Sequence, residues 1–188
     1  MSTIRAFIAI QLPDDVRAAL AQVNEILAAQ LPQRSVRWVK PKLMHLTLRF
    51  LGDTAVSNLP SLYDALDESA AQHDEFMLRL DHLGCFPNCK QPRVIWAGLQ
   101  GQLEAADAFK QDIDAALEPL GWEREERPFR PHLTLGRVKD SRMLRDTHWE
   151  ANFEKQALPV TAIHLIESEL TPGGPIYTVR HTSHLRVT

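Results

Sequence analysis

The tetrapeptide His-Leu-Thr-Leu occurs twice in this chain, as His45-Leu46-Thr47-Leu48 and as His132-Leu133-Thr134-Leu135. In a β-strand, residues i and i+2 share a face, so each copy sets His beside Thr and sends both Leu the other way. A lone H-x-T carries little information in a chain with eight His, because chance supplies it. Two identical copies carry much more. Each reads as a strand buried on its leucine face with a polar, reactive face opposite. A fold that keeps both must present two such strands to one place.

The pattern around the copies supports an internal duplication. Ile4 to Ile10 reads as a buried first strand, and Pro13-Asp14-Asp15 opens a helix carried by Val16, Leu20, Val23, Ile26 and Leu27 to about Gln30. A short strand around Trp38 and the Pro41-Lys42 turn lead into the first H-L-T-L strand, which Gly52-Asp53 should close. A helix over 59–72, a strand over 76–80, a strand over 93–99 and a helix over 103–120 precede the second copy. Two strands over 160–170 and 176–187, joined by the Thr171-Pro172-Gly173-Gly174-Pro175 turn, end the chain. Mixed elements without strict β-α-β alternation favour an α+β fold. We expect a single domain over 1–188, bilobal, with two pseudo-symmetric and largely antiparallel sheets facing a central cleft and helices packed outside.

Composition narrows the classes of function. The 188 residues hold 44% hydrophobic and 24% charged residues, ordinary globular values, and the net charge is −3. That charge argues against broad neutralisation of duplex DNA, while a locally basic pocket remains compatible with it. The most apolar N-terminal run contains Arg5 and stops at Pro13, too short to span a membrane and unlike a signal peptide. Cys85 and Cys89 lack the second ligand pair of a structural zinc site. They read as reduced structural thiols, which makes the cytoplasm the expected location.

Two imidazoles facing one cleft can act as a complementary pair, one neutral to take a proton and one protonated to give it. That suits phosphodiester hydrolysis without metal. One His deprotonates water, the other protonates the leaving ribose oxygen, and each Thr hydroxyl donates to a non-bridging phosphate oxygen. The competing accounts are half-buried strand residues of purely structural use, or a zinc site. The latter would have only two nitrogen ligands and no nearby carboxylate or thiolate. No metal or cofactor is expected.

The longer contexts are specific. Arg37-Trp38-Val39 leading into His45-Leu46-Thr47-Leu48-Arg49-Phe50-Leu51-Gly52, and Phe129-Arg130-Pro131-His132-Leu133-Thr134-Leu135-Gly136-Arg137, resemble the two signatures of the two-histidine phosphoesterase superfamily. Within it the chain is similar to the RNA 2′,3′-cyclic phosphodiesterase family, historically called 2′-5′ RNA ligase. Arg5 to Ile10 and Pro92 to Trp96 extend the likeness. The resemblance implies a bilobal α+β fold and metal-independent hydrolysis of RNA 2′,3′-cyclic phosphate ends to 2′-phosphomonoesters, with reverse 2′-5′ ligation. It makes His45 the proton donor, His132 the proton acceptor, and Thr47 and Thr134 their partners. The implied substrates are RNA with cyclic phosphate termini, tRNA fragments among them, or small cyclic nucleotides, bound by a monomer. The alternatives are a phosphodiesterase for another 2′-linked or cyclic nucleotide and a non-catalytic RNA-end binding module.

Strand parity bears on the supporting residues. Arg49, four after His45, should share the catalytic face, whereas Arg137, five after His132, should point away unless Gly136 hosts a bulge. The resemblance gives the Arg at the Arg137 position a phosphate contact, and Arg130 is a further candidate. Phe7, Trp38, Phe50 and Phe129 can stack on a base or line the cleft, with core packing the simpler reading for Phe7 and Phe50. The six remaining His read as surface or structural.

Overall fold

An apolar run such as Ile4 to Ile10 suits a strand covered on both faces. It forms β1 (Thr3–Gln11). Ala6, Ile8 and Ile10 enter the main core, while Phe7 and Ala9 join a small cluster with Ile166. Pro13 and the first-turn acids Asp14 and Asp15 start α1 (Asp14–Gln30), which buries Val16, Leu20, Val23 and Leu27. After β2 (Val36–Trp38) and a single 3-10 turn over Pro41–Leu43 comes β3 (His45–Ala55), which runs through Gly52 and Asp53 rather than stopping there. Next are α2 (Leu59–Ala70), β4 (Phe76–Phe86) and β5 (Val94–Gly101). Then follow α3 (Leu103–Leu117), β6 (His132–Val138), β7 (Ala157–Val160), β8 (Ala162–Thr171) and β9 (Gly174–His184). The computed structural model describes residues 2–145, 147–152 and 155–187.

Two further elements depart from the expected bounds, both along the edge of the sheet that holds β4. This strand continues past Leu80 because a register shift between Leu80 and Leu83 absorbs Asp81 and His82 without breaking the pairing to β5. β7 is a strand of its own, separate from the one that follows; its four residues pair with the start of β4. The β8–β9 turn is as expected. Gly174 at its end has φ +112, a backbone conformation that favours glycine.

The strands run β7-β4-β5-β6-β3-β1-β8-β9, with β2 also paired to β6, and every pair of named strands is antiparallel. Outward from the β3/β6 seam the order is β1, β8, β9 on one side and β5, β4, β7 on the other. Each motif strand therefore lies beside the strand that precedes its helix, β1-α1-β3 and β5-α3-β6. The two expected sheets are thus the two halves of one curled sheet, α+β and bilobal, joined through the single pair Leu46↔Leu133. Both leucines are fully buried. The main core lies on their face, filled from α1, α2 and α3, which leaves the opposite face open as the cleft.

Cys85 and Cys89 form a disulfide with their Cα atoms 5.1 Å apart, which corrects the expectation of reduced thiols. The Pro87-Asn88 turn doubles the chain back, its Asn88 Oδ1 accepting from the backbone N–H groups of Lys90 and Gln91, each at 3.0 Å. The two sulfurs are thereby brought within bonding reach. The cysteines no longer argue for a reducing compartment. Among the described residues no helix is long and apolar enough to cross a membrane.

Candidate active site

The seam register assembles the four motif side chains. With Leu46 opposite Leu133 in an antiparallel pair, one step either way sets His45 opposite Thr134 and Thr47 opposite His132. Directly opposed residues in such a pair have Cα atoms about 4.5–5.5 Å apart. Because the leucines fill the core face, all four polar side chains stand on the cleft face, each His diagonal to the other. The same step explains why the motif is H-x-T and not H-T. Only an alternating string offers polar groups to the cleft while sealing the seam beneath with leucine.

Each imidazole is held in the same way. His45 Nδ1 donates to the Leu43 carbonyl at 2.9 Å and His132 Nδ1 to the Arg130 carbonyl at 2.7 Å, both two residues upstream. A carbonyl only accepts, so Nδ1 carries the hydrogen in both rings and Nε2 is left for chemistry.

Their surroundings differ. The His45 ring packs at 4.7 Å from Phe7 and edge-on at 5.5 Å from Tyr177. Burial there lowers its pKa from the ordinary 6.5, and the bond to Leu43, which favours the charged form, offsets this only in part. Burial also raises the Tyr177 phenol, against the opposing influence of Arg137 and Arg5. His132 instead meets Phe86 and Trp96 edge-on at 4.9 and 6.1 Å, and its Nδ1 bond is exposed to solvent. Trp96 lies across Gly84, where a Cβ would fall 2.2 Å from the indole.

Both motif strands are bulged at the last residue of the tetrapeptide, with opposite results for the two arginines. Along β3, Thr47 pairs with Ala9 but Arg49 with Ile8, so Leu48 is an extra residue and parity flips. Arg49 thereby leaves the His/Thr face, contrary to the parity expectation. It borders the cavity described below, but its guanidinium is committed to Asp114 at 3.3 Å, to the Glu123 carbonyl and to Glu125 at 3.7 Å. Lys110 completes that buried cluster, 3.1 Å from Glu125. Along β6, Thr134 pairs with Trp96 but Gly136 with Ile95, so Leu135 is the extra residue. Arg137 is thereby turned onto the His/Thr face, the alternative that a bulge at Gly136 allows.

The aromatic candidates divide likewise. Phe50, shifted by the β3 bulge, pairs with Phe7 and is 63% exposed rather than in the core. Phe7 is buried, in the small cleft-side cluster against His45. Trp38 does not line the cleft. It pairs with Gly136 and packs on the main core, since the missing side chain there leaves room for its ring on the helix side. Phe129 packs partly on the core and also lines a cavity of about 530 Å³ that opens beside Thr47. Arg130 lines that cavity with an exposed side chain.

Tyr177, Phe86 and Trp96 are site residues that sequence reasoning misses. For Trp96 a signal is present, since β1 and β5 occupy equivalent places beside the motif strands and Phe7 on β1 is a sequence candidate. Tyr177 has no such signal, because its place depends on how β9 folds back over β8.

A sequence model described as LigT-like phosphoesterase matches residues 10–96 and 99–177. The RNA 2′,3′-cyclic phosphodiesterase of Methanothermobacter thermautotrophicus is 33% identical over 93% of this chain and 95% of its own length. The RNA 2′,3′-cyclic phosphodiesterase of Thermus thermophilus is 35% identical over 97% and 91%. A crystal structure of a Thermus thermophilus protein superposes with a TM-score of 0.83 at 32% identity, covering 98% of this chain and 99% of that one.

Proposed function

The chain belongs to the LigT-like phosphoesterase family, and on that premise we propose that it hydrolyses the 2′,3′-cyclic phosphate at an RNA end to a 2′-phosphomonoester. The observation that carries the reading is the square of His45, Thr134, Thr47 and His132 at the β3/β6 seam, with both Nε2 atoms left free by their Nδ1 bonds. His132 Nε2 takes a proton from water as its oxygen bonds to phosphorus. The bond from phosphorus to O3′ breaks, and His45 Nε2 gives its proton to that oxygen. Thr47 and Thr134 donate to the non-bridging oxygens, and Arg137 offsets the charge that builds on them. Exchange with solvent restores the two imidazoles.

The two His and two Thr supply every proton transfer and hydrogen bond this scheme needs, so it runs without a metal or cofactor. With a 5′-hydroxyl in place of water the same groups join RNA ends through a 2′-5′ linkage: the 5′ oxygen bonds to the phosphorus of the cyclic phosphate as the bond to O3′ breaks, and the reverse of that step cleaves the linkage. This reading treats residues 1–188 as one monomeric domain of two related lobes, which the mirrored strand order supports, and places it in the cytoplasm with its RNA substrates. The test is to incubate cyclic-phosphate RNA with the purified protein, with and without EDTA, and assign the product by phosphorus NMR. A 2′-phosphate formed equally with EDTA is expected. A 3′-phosphate product would reverse the assignment of the leaving oxygen, and no product between pH 5 and 9 would end the enzymatic reading.

A further inference from the structure

Arg37 and Arg137 are directly opposed Cα partners in the β2/β6 pair. The β6 bulge puts Arg137 on the His/Thr face, and direct opposition puts Arg37 there beside it. Both are exposed, and among the described residues neither has a carboxylate within ion-pairing distance. Like charges directly opposed across a ladder are destabilising. The contrast within the same sheet is Arg5, whose opposed partner on β3 is Asp53. One arginine on the cleft face therefore faces a built-in counter-charge and the other two face each other.

We propose that Arg37 and Arg137 together hold two successive phosphates of an RNA strand. Arg137, on the motif strand itself, takes the cyclic phosphate, and Arg37 takes the phosphodiester on the 5′ side of the terminal nucleoside. The inference rests on the reading of the site given above and narrows it. A cyclic mononucleotide ends in a 5′-hydroxyl and offers nothing to Arg37, so the substrate class this pair selects is an oligonucleotide. Guanidinium groups suit the task because they stay charged and present several N–H donors to phosphate oxygens.

The experiment compares wild type with Arg37→Ala on two turnover substrates, adenosine 2′,3′-cyclic phosphate and the dinucleotide ApA ending in a 2′,3′-cyclic phosphate. Equilibrium binding of adenosine 2′-phosphate and of ApA 2′-phosphate is measured in parallel. The variant should lose about tenfold to a hundredfold in kcat/KM and in affinity on the dinucleotide while keeping its values on the mononucleotide. The dependence of log affinity on log salt should fall by about 0.7 for the dinucleotide alone. An equal loss on both ligands, or none on either, overturns the inference. If wild type turned over neither substrate the catalytic reading would fail, yet the binding ratio would still decide whether Arg37 reads a second phosphate.

Discussion

The two His-Leu-Thr-Leu tetrapeptides are identical in sequence and in the bond that fixes each imidazole, and they differ in the surroundings that the rest of the fold supplies. His45 is covered by Phe7 and Tyr177, so its charged form is disfavoured. His132 meets Phe86 and Trp96 edge-on and keeps its Nδ1 bond in the open. A local device, Nδ1 to the carbonyl two residues back, copies faithfully because it needs nothing but the chain around it. The solvent around each ring is set by distant strands, and there the halves have diverged. The proposed roles follow that division. A desolvated imidazole is the stronger acid once it is protonated, and an open one exchanges readily with the water it activates.

The largest effect expected breaks both halves at once. His45→Ala and His132→Ala should each lower kcat by about 10²–10⁴, and the double variant should be little worse than either single one, because a proton taken without one given completes no turnover. Steady-state rates on cyclic-phosphate RNA, beside melting curves that stay near wild type, check this. Additive losses would mean that the rings act independently and that the pairing across the seam is wrong.

Next in size is a contrast between the two bulges. Arg137→Ala should cost about tenfold to a hundredfold in kcat/KM with a melting temperature no lower than wild type, since the side chain is exposed, has no carboxylate partner among the described residues and stands opposite Arg37. Arg49→Met should do the reverse. It leaves Asp114 and Glu125 with Lys110 alone and removes the tie to Glu123, and breaking such a buried charge cluster costs about 3–5 kcal/mol, while the enzyme that remains folded keeps its KM. Denaturant titration and kinetics on the same two preparations decide it. Loss of substrate affinity in Arg49→Met without loss of stability would put Arg49 back in the site.

These two arginines also mark where sequence reasoning stops. Strand identity, the helix faces and the H-x-T geometry are legible, because period 2 and period 3.6 are carried by each residue's immediate neighbours. Parity fails at Leu48 and turns at Leu135 because a bulge is a relation between two strands, and nothing in Thr47-Leu48-Arg49 announces that Ala9 and Ile8 will face residues two apart. Gly136 does give notice, since glycine permits a bulge. Trp38 is misplaced by sequence for a related reason. An aromatic beside a motif strand has two faces to choose from, and the vacancy over Gly136 that decides it lies almost a hundred residues away.

A smaller effect should separate the halves by pH. Tyr177→Leu admits water to His45, weakens the desolvation that lowers its pKa and lets the value rise toward 6.5. A proton donor must be charged to work, so the basic limb of kcat/KM against pH should move to higher pH. Phe86→Leu, the corresponding change beside His132, should leave that limb in place. Movement of the acidic limb in Tyr177→Leu would exchange the roles of donor and acceptor.

The smallest effect is on stability, and it isolates the cause of the asymmetry. Above pH 6.5 His45 is neutral folded or unfolded, and its burial costs nothing further. As pH falls below 6.5 the unfolded chain takes up a proton that the folded protein resists, so stability is lost until the lowered folded pKa is reached, and the loss then levels off. His45→Asn removes that proton from both states. The stability difference, wild type minus His45→Asn, should therefore shrink between pH 7.5 and 5. His164, whose pKa is lowered by its own burial and by His184, titrates equally in both proteins and drops out of the subtraction. A difference that stays constant over this range would mean that Phe7 and Tyr177 do not keep water from His45, and the contrast between the two halves would then have to lie in the bound phosphate rather than in the free protein.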